Sequence, residues 1–517
     1  MTTTRSDAAA TTANAATVAD ATDTATTKTV NVDVLIIGAG LSGIGAAHHL
    51  RTELPGKSYT ILESRDAIGG TWDLFRYPGV RSDSDMHTLG YRFRPWTQEK
   101  AIADGPSILQ YVRETAAEAG IDQHIRFGHR ALSAAWSSTE AQWTVLATRT
   151  RSDGGEPEAV RFTCDFLLVC SGYYRYDEGY TPEFAGTEQF AGQIVHPQHW
   201  PEDLDYAGKR VVVIGSGATA VTLAPALSEQ AAHVTMLQRS PTYIISLPSE
   251  DSIANGLRKV LGARMSYPIT RWKNVALATL IYQLSQRRPN LVKAMIKRDQ
   301  RRQLPPDYDL ETHFTPRYNP WDQRLCLVPD GDLFKSISDG RVSVVTDRIR
   351  AFSETGIDLE SGAHLDADIV VTATGLNILL IGGMTLTVDG EPVSPPDTLA
   401  YKGMMLSGVP NFAFCVGYTN ASWTLKADLV SEYVCRLLKT MDARGERMCV
   451  PVNADSSMDS RPLLDFAAGY VLRSVDQLPK SGPKAPWRLG MNYAQDVLTL
   501  RYGKIRDGVM RFSNPEA

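Results

Sequence analysis

The chain has 517 residues, more than one ordinary domain holds, and 43% of them are hydrophobic, so it can bury large cores without disulfides. A formal net charge of −5 excludes a basic nucleic-acid footprint as its main purpose. The six cysteines, Cys164, Cys170, Cys326, Cys415, Cys435 and Cys449, include no C-x-x-C pair and read as reduced, mostly buried thiols of a cytoplasmic protein.

Residues 1–30 are mainly Thr, Ala and Asp with almost nothing large and apolar, so a disordered tail is expected there. They carry no apolar h-region, and no later run reaches the roughly eighteen apolar residues of a membrane-spanning helix. Order is expected from Val32. The run 32–37 reads as a buried parallel strand that ends in Gly38-Ala39-Gly40-Leu41-Ser42-Gly43. In such a loop the first glycine permits the turn and the second lets backbone approach a pyrophosphate. The third lets helix pack on strand. The helix that follows turns its free N–H groups and positive dipole end toward the phosphates. A second strand is expected over 59–63. Its last residue, Glu63, stands twenty residues beyond Gly43, where a carboxylate binds both ribose hydroxyls of FAD or NAD. Strands over 143–148 and 166–170 follow, and Ser171-Gly172 closes a first block, 31–172.

A linker, 173–206, leads to a second unit, 207–372. The strand 210–214 ends in Gly215-Ser216-Gly217-Ala218-Thr219-Ala220, and the next strand, 233–237, leads to Gln238-Arg239-Ser240. Arginine stands where the first unit has an acid. A guanidinium there suits the 2′-phosphate of NADPH. A surface arginine at a strand end is the plainer alternative. A helical insertion is expected over 251–304. The segment 369–375 reads as a strand with a glycine turn, 411–416 as a strand, and 422–441 as a helix with Leu425, Leu429, Val434, Leu437 and Leu438 on its apolar face. Residues 373–510 complete the first unit. The fold expected is α/β, with two Rossmann-like dinucleotide-binding domains, for FAD and NADP, and the helical insertion in the NADP domain. Two such sites in one chain imply one cofactor that donates hydride and one that accepts it.

Between the loops, Phe190, Gly192, His196, Trp200 and Pro201 fit the pattern F-x-G-x-x-x-H-x-x-x-W-P. This resembles the fingerprint of the Baeyer–Villiger monooxygenases. The segments Gly69-Gly70-Thr71-Trp72 and Arg76-Tyr77-Pro78-Gly79-Val80-Arg81-Ser82-Asp83 are similar to that family's flavin-contacting region. Asp368 with Ala373-Thr374-Gly375 resembles the sheet-closing motif of two-dinucleotide flavoproteins. Within the family the chain is most similar to the ethionamide-activating FAD-containing monooxygenases, through Thr71-Trp72-Asp73-Leu74-Phe75-Arg76, Asn319-Pro320-Trp321-Asp322-Gln323-Arg324 and Gly417-Tyr418-Thr419-Asn420-Ala421-Ser422-Trp423. Gln323 replaces the lysine of many relatives.

The resemblance implies that NADPH reduces FAD and that dioxygen then gives a C4a-peroxyflavin, which converts ketones to esters or lactones and also oxidises sulfur in thioethers or thioamides. By the same resemblance Arg324 stabilises the developing anion, and Asp83 holds that arginine. Thr71, Trp72, Asp73 and Leu74 lie against the flavin, joined by Arg81 and Ser82. Ser42 touches the pyrophosphate, and Ala131 meets the adenine through its backbone. The helix after Ser422 aims its N-terminus at the flavin. His196 is implied to be a hinge and packing residue rather than a proton carrier. A flavin N- or S-oxygenase without ketone activity is the runner-up. A disulfide reductase is discounted, because Cys164 and Cys170 have the wrong spacing.

One feature lies outside the fingerprint. Arg258, Lys259, Arg264, Arg271, Lys273, Arg287, Arg288, Lys293, Lys297, Arg298, Arg301 and Arg302 crowd residues 258–302 of the insertion, opposed within that span only by Asp299. Two readings stay open: a solvated helix face, or a substrate-access cap able to rest peripherally on an anionic membrane.

Overall fold

The computed structural model describes residues 29–516 except 152, 324, 456 and 465–467. The tail expected to be disordered lies outside the described residues up to position 28. The chain opens with β1 (Thr29–Ile37), α1 (Leu41–Glu53) and β2 (Tyr59–Leu62). β1 begins three residues before the expected Val32. The added residues, Thr29 to Asn31, pair with Arg161 to Thr163 of a neighbouring strand, and this ladder extends β1 beyond its apolar run. The last four residues of β1 and all of β2 are buried, as a Val/Leu/Ile-rich strand covered on both faces requires.

Two short helices follow, α2 (Thr71–Leu74) and α3 (Met86–Leu89), then β3 (Ile125–Arg126) and the antiparallel run β4 (His129–Ser137), β5 (Gln142–Arg149) and β6 (Glu158–Val169). The second unit contains β7 (Gln193–Val195), β8 (Arg210–Ile214), α4 (Ala218–Leu227) and β9 (His233–Gln238). Helices α5 (Ser252–Arg287) and α6 (Pro289–Gln303) form the insertion, before β10 (Val342–Thr346) and β11 (Ile369–Thr372). The parallel order is β10-β9-β8-β11-β7. The chain then returns to the first sheet through β12 (Thr385–Val388), β13 (Glu391–Val393) and β14 (Phe412–Phe414), and ends in α7 (Trp423–Asp442) and shorter segments.

The first sheet has nine strands in the order β13-β12-β4-β5-β6-β1-β2-β3, with β14 also on β6. β6 is the joint. Its first half pairs antiparallel with β5, and its last three residues pair parallel with β14. Both glycine loops therefore leave the carboxyl ends of parallel strands, where ligands bind in such sheets.

The insertion spans both units. Its second helix belongs to the second one, where the Gln300 amide donates to the Ile244 carbonyl. Its first helix packs on the first unit instead, and Tyr267 and Val275 join that unit's core. Arg271 fixes this contact. Its buried guanidinium donates to the carbonyls of His87, Thr88 and Gly90, at 2.9, 3.2 and 2.7 Å, and pairs with Asp428 of α7 at 3.4 Å. Removing one partner from a buried pair of this kind costs roughly 3–5 kcal/mol. The insertion stands in the second unit by chain position, and its first helix is bolted to the other unit.

Candidate cofactor and active site

The first loop shows why its glycines are needed. Gly38 has φ of 103°, and a Cβ there would sit 2.7 Å from the Cys170 carbonyl. A Cβ on Gly43 would fall 1.9 Å from the Gly38 carbonyl, so α1 can rest on β1 only through a bare glycine. Gly40 caps α1 and faces Gly70, where a Cβ would come 3.6 Å from the Gly70 Cα. This leaves a trough into which the helix N-terminus points.

The trough is part of a cavity of about 290 Å³ that includes Gly38, Gly40, Ser42 and Glu63 on one side. Glu63 is buried. Its Oε2 accepts the Ala39 N–H at 2.8 Å, and its Oε1 accepts the Arg65 N–H at 2.9 Å. Burial pushes its carboxyl above the usual range, and these two amides oppose the shift. The Ser64 hydroxyl adds a long contact to Oε1 at 3.5 Å; a carboxylate has about four acceptor sites, so acceptor capacity remains for a ribose hydroxyl. Ser42 is arranged the other way round. The Trp423 indole donates to its Oγ at 2.7 Å and the Cys415 thiol at 3.5 Å. An oxygen that accepts twice turns its own proton outward, here toward the trough.

Thr71, Trp72, Ser82, Asp83 and Ala131 line other walls. Tyr418, Ala421 and Trp423 bring the N-terminus of α7 to the same space, a second positive helix end. Thr71 Oγ1 lies 3.0 Å from the Tyr176 hydroxyl, whose pKa burial pushes up to about 12, so it stays a donor. Such a cavity suits a long anionic dinucleotide with a ribose diol: amide-rich at one end and aromatic at the other.

Comparison with known proteins agrees with this geometry. The model of a flavin-binding monooxygenase-like family matches residues 101–380, and that of an NAD(P)-binding Rossmann-like domain matches 36–98. The chain is 58% identical over 490 residues to the FAD-containing monooxygenase EthA of Mycobacterium tuberculosis, covering 95% of this chain and 99% of that one. It is 56% identical to EthA of Mycolicibacterium smegmatis, covering 95% and 98%. The chain belongs to the flavin-binding monooxygenase-like family. Its fold is that of a steroid monooxygenase bound to NADP, with a TM-score of 0.74 at 23% identity over 94% of this chain and all of that one. An open cyclohexanone monooxygenase matches at 0.71 and 18%, with the same coverage.

The second loop of this monooxygenase repeats the first. Gly215, with φ of 142°, would carry a Cβ 2.4 Å from the Ala373 carbonyl. Gly217 caps α4 (Ala218–Leu227) and opens onto free space, so Ala218, Thr219 and Ala220 form the first turn of that helix. The Ser216 hydroxyl donates to the Ser240 carbonyl at 3.1 Å and ties the loop to the end of β9. Arg239 and Ser240 are exposed there, and among the described residues Arg239 makes no ion pair.

Some expected contacts go elsewhere. The Asp73 carboxylate is buried among Arg65, Arg76 and Arg113, nearest at 2.5 Å, and neither it nor Leu74 is among the cavity walls. Its place in α2 turns it to the helix's outer side, where it pairs with three cations and fixes the turn carrying Thr71 and Trp72. Arg81 forms an ion pair with Asp332 of the second unit. Tyr77 and Val80 are buried in that unit's core, so the 76–83 segment clamps the units together and presents Asp83 at their junction. Arg324 lies outside the described residues. His196 accepts the Gln198 N–H on Nδ1 and approaches the Gly375 carbonyl at 3.2 Å through Nε2. Burial lowers its pKa, so the ring is a neutral tie between the linker and the β11 turn.

Sequence reasoning missed Tyr173, Tyr174 and Tyr176 as cavity walls. Tyr173 stacks on Trp423 with centroids 5.1 Å apart and planes at 9°. A signal existed: three tyrosines directly after the Ser171-Gly172 turn, at the carboxyl end of a parallel strand.

Proposed function

We propose that this monooxygenase uses NADPH and dioxygen to insert oxygen beside a ketone carbonyl, giving an ester or lactone, and that it also oxidises sulfur in thioethers or thioamides. FAD and NADP are its cofactors. Residues 31–172 and 373–510 make the FAD-binding domain in this reading, and 207–372 the NADP-binding domain. The observation that carries it is the cavity in which Glu63, Ser42 and two helix N-termini converge beside Asp83.

Glu63 orients the adenosine ribose, Ala131 borders the adenine, and Gly38, Gly40, Gly43 and Ser42 receive the pyrophosphate. Thr71, Trp72 and Ser82 confine the ring system, while Asp73, Leu74 and Arg81 hold those walls in place. The loop from Gly215 to Ala220 receives the second pyrophosphate, and Arg239 with Ser240 the 2′-phosphate. When bound and reduced, the flavin supplies activated oxygen. Arg324, kept in place by Asp83, stabilises the negative charge that develops beside it; one preorganised donor in such a site contributes roughly 2.7–4 kcal/mol.

The ketone half of the reading is supported by the Phe190–Pro201 fingerprint, and the sulfur half by the resemblance of 71–76, 319–324 and 417–423 to the ethionamide-activating monooxygenases. Among the described residues no helix is long and apolar enough to cross a membrane, and the cytoplasm is the proposed place of work. Feeding the purified protein NADPH, air and a panel of linear and aryl ketones tests the assignment. Ester formation is expected; sulfoxides from thioethers with no ester from any ketone would favour a pure S-oxygenase.

A further inference from the structure

A second cavity, of about 330 Å³, lies between α5, the segment 92–95 and the C-terminal segment. Arg92, Arg264, Arg271 and Arg501 line it, and no acidic residue does. Behind the wall, Glu432 pairs with Arg92 at 2.7 Å and with Arg501 at 2.5 Å, while Asp428 pairs with Arg271. Two carboxylates thus face four guanidinium groups. Arg264 makes no ion pair among the described residues, and the buried Nε of Arg271 has no acceptor. A buried donor without an acceptor is costly, so Arg271 asks for an anion, and the exposed Arg264 stands at the same wall to meet it.

The rest of the wall is apolar and mostly aromatic: Phe93, Tyr267, Trp272 and Tyr493, with Pro95 and Pro268. At its mouth α5 exposes apolar side chains that a soluble helix normally hides. Met265 is 64% exposed, Ile269 50% and Trp272 48%, and Leu280 further along is 64%. Spacings of four and three put the first three on one face of the helix, alongside Arg264, Pro268 and Arg271 of the cavity wall. Cations inside and an apolar stripe outside match one ligand shape. The Tyr493 ring meets Tyr418, a wall of the first cavity, at 6.5 Å, so the walls of the two spaces touch through this pair of rings.

We propose that this cavity binds an anionic amphiphile, with a phosphate or carboxylate head among the arginines and an alkyl chain along Met265, Ile269 and Trp272. The site is distinct from the dinucleotide cavity and does not depend on which substrate is oxidised. The full chain is titrated calorimetrically with dodecyl phosphate below its micelle concentration. Saturable binding is expected. Arg264→Ala, whose side chain makes no hydrogen bond or ion pair among the described residues, weakens it about tenfold, and Ile269→Ser weakens it severalfold with an unchanged melting temperature. Inorganic phosphate binds at least about a hundredfold more weakly, for want of the chain, and dodecyltrimethylammonium does not compete. Equal affinity of wild type and Arg264→Ala, competition by the cationic amphiphile, or phosphate as tight as its dodecyl ester would overturn the proposal. So would binding only to vesicles of anionic phospholipid, which would mark α5 as a membrane face.

Discussion

Replacing Arg239 with alanine isolates the 2′-phosphate from the rest of the nicotinamide cofactor. A charge-assisted hydrogen bond contributes roughly 1.5–3 kcal/mol. Arg239 is exposed, so solvent screens part of that. It also makes no ion pair among the described residues, so no partner must be given up when phosphate arrives. The lower end of the range follows, about a tenfold loss of affinity for NADPH. The loop itself is untouched, because Ser216 holds Ser240 through the main-chain carbonyl, which the substitution leaves in place. NADH, which lacks the 2′-phosphate, should therefore bind the variant as it binds the wild type. Flavin reduction under anaerobic stopped flow, with each nucleotide varied, reads both affinities. An unchanged NADPH affinity, or an equal loss for NADH, would refute the assignment of Arg239.

Three further outcomes follow from the geometry. Glu63→Gln sets an amide donor against the Ala39 or Arg65 N–H and removes the charge from the diol site, so FAD affinity measured by reconstituting apoprotein should fall about ten- to a hundredfold; an unchanged affinity would remove Glu63 from the site. Gly43→Ala forces a methyl against the Gly38 carbonyl, and denaturant titration should show a loss at or above the roughly 1–3 kcal/mol of ordinary overpacking. His49 is buried, which alone would depress it, yet hydrogen bonds to Asp428 and Glu53 carry its pKa from 6.5 up to about 9. A pKa raised on folding contributes stability that is whole below 6.5 and lost as pH rises through about 9. The melting temperature should fall across that window, and His49→Gln should flatten the fall; parallel profiles would contradict the role of this pair.

The sequence could be read wherever function resides in local spacing. The glycine loops, Glu63 at the end of β2 and Arg239 after β9 each follow from a strand, a turn and a fixed offset. Ser42 was legible as a candidate phosphate contact, but not the Trp423 indole that donates to it from 381 positions away. Arg271 read as one more cation in a basic helix, whereas it is the bolt that joins the insertion to α3 and α7 across 157 to 184 positions. Asp73 and Arg81 stand in the right segment, yet their side chains point to cations and to Asp332, because proximity in sequence does not fix which side of a short helix or loop faces a cavity. Periodicity predicts which face of an element is apolar; it does not say which distant element covers that face, and the exposed stripe on α5 is where the two part.

The central claim is that this chain activates dioxygen at a flavin and places one of its atoms beside a carbonyl. The most direct measurement is mass spectrometry of the product formed from a simple aryl ketone by purified protein, NADPH and isotopically heavy dioxygen. The account predicts an ester carrying one heavy oxygen atom for each NADPH consumed. Consumption of NADPH with hydrogen peroxide as the only product from every ketone, while thioethers give labelled sulfoxides, would contradict it.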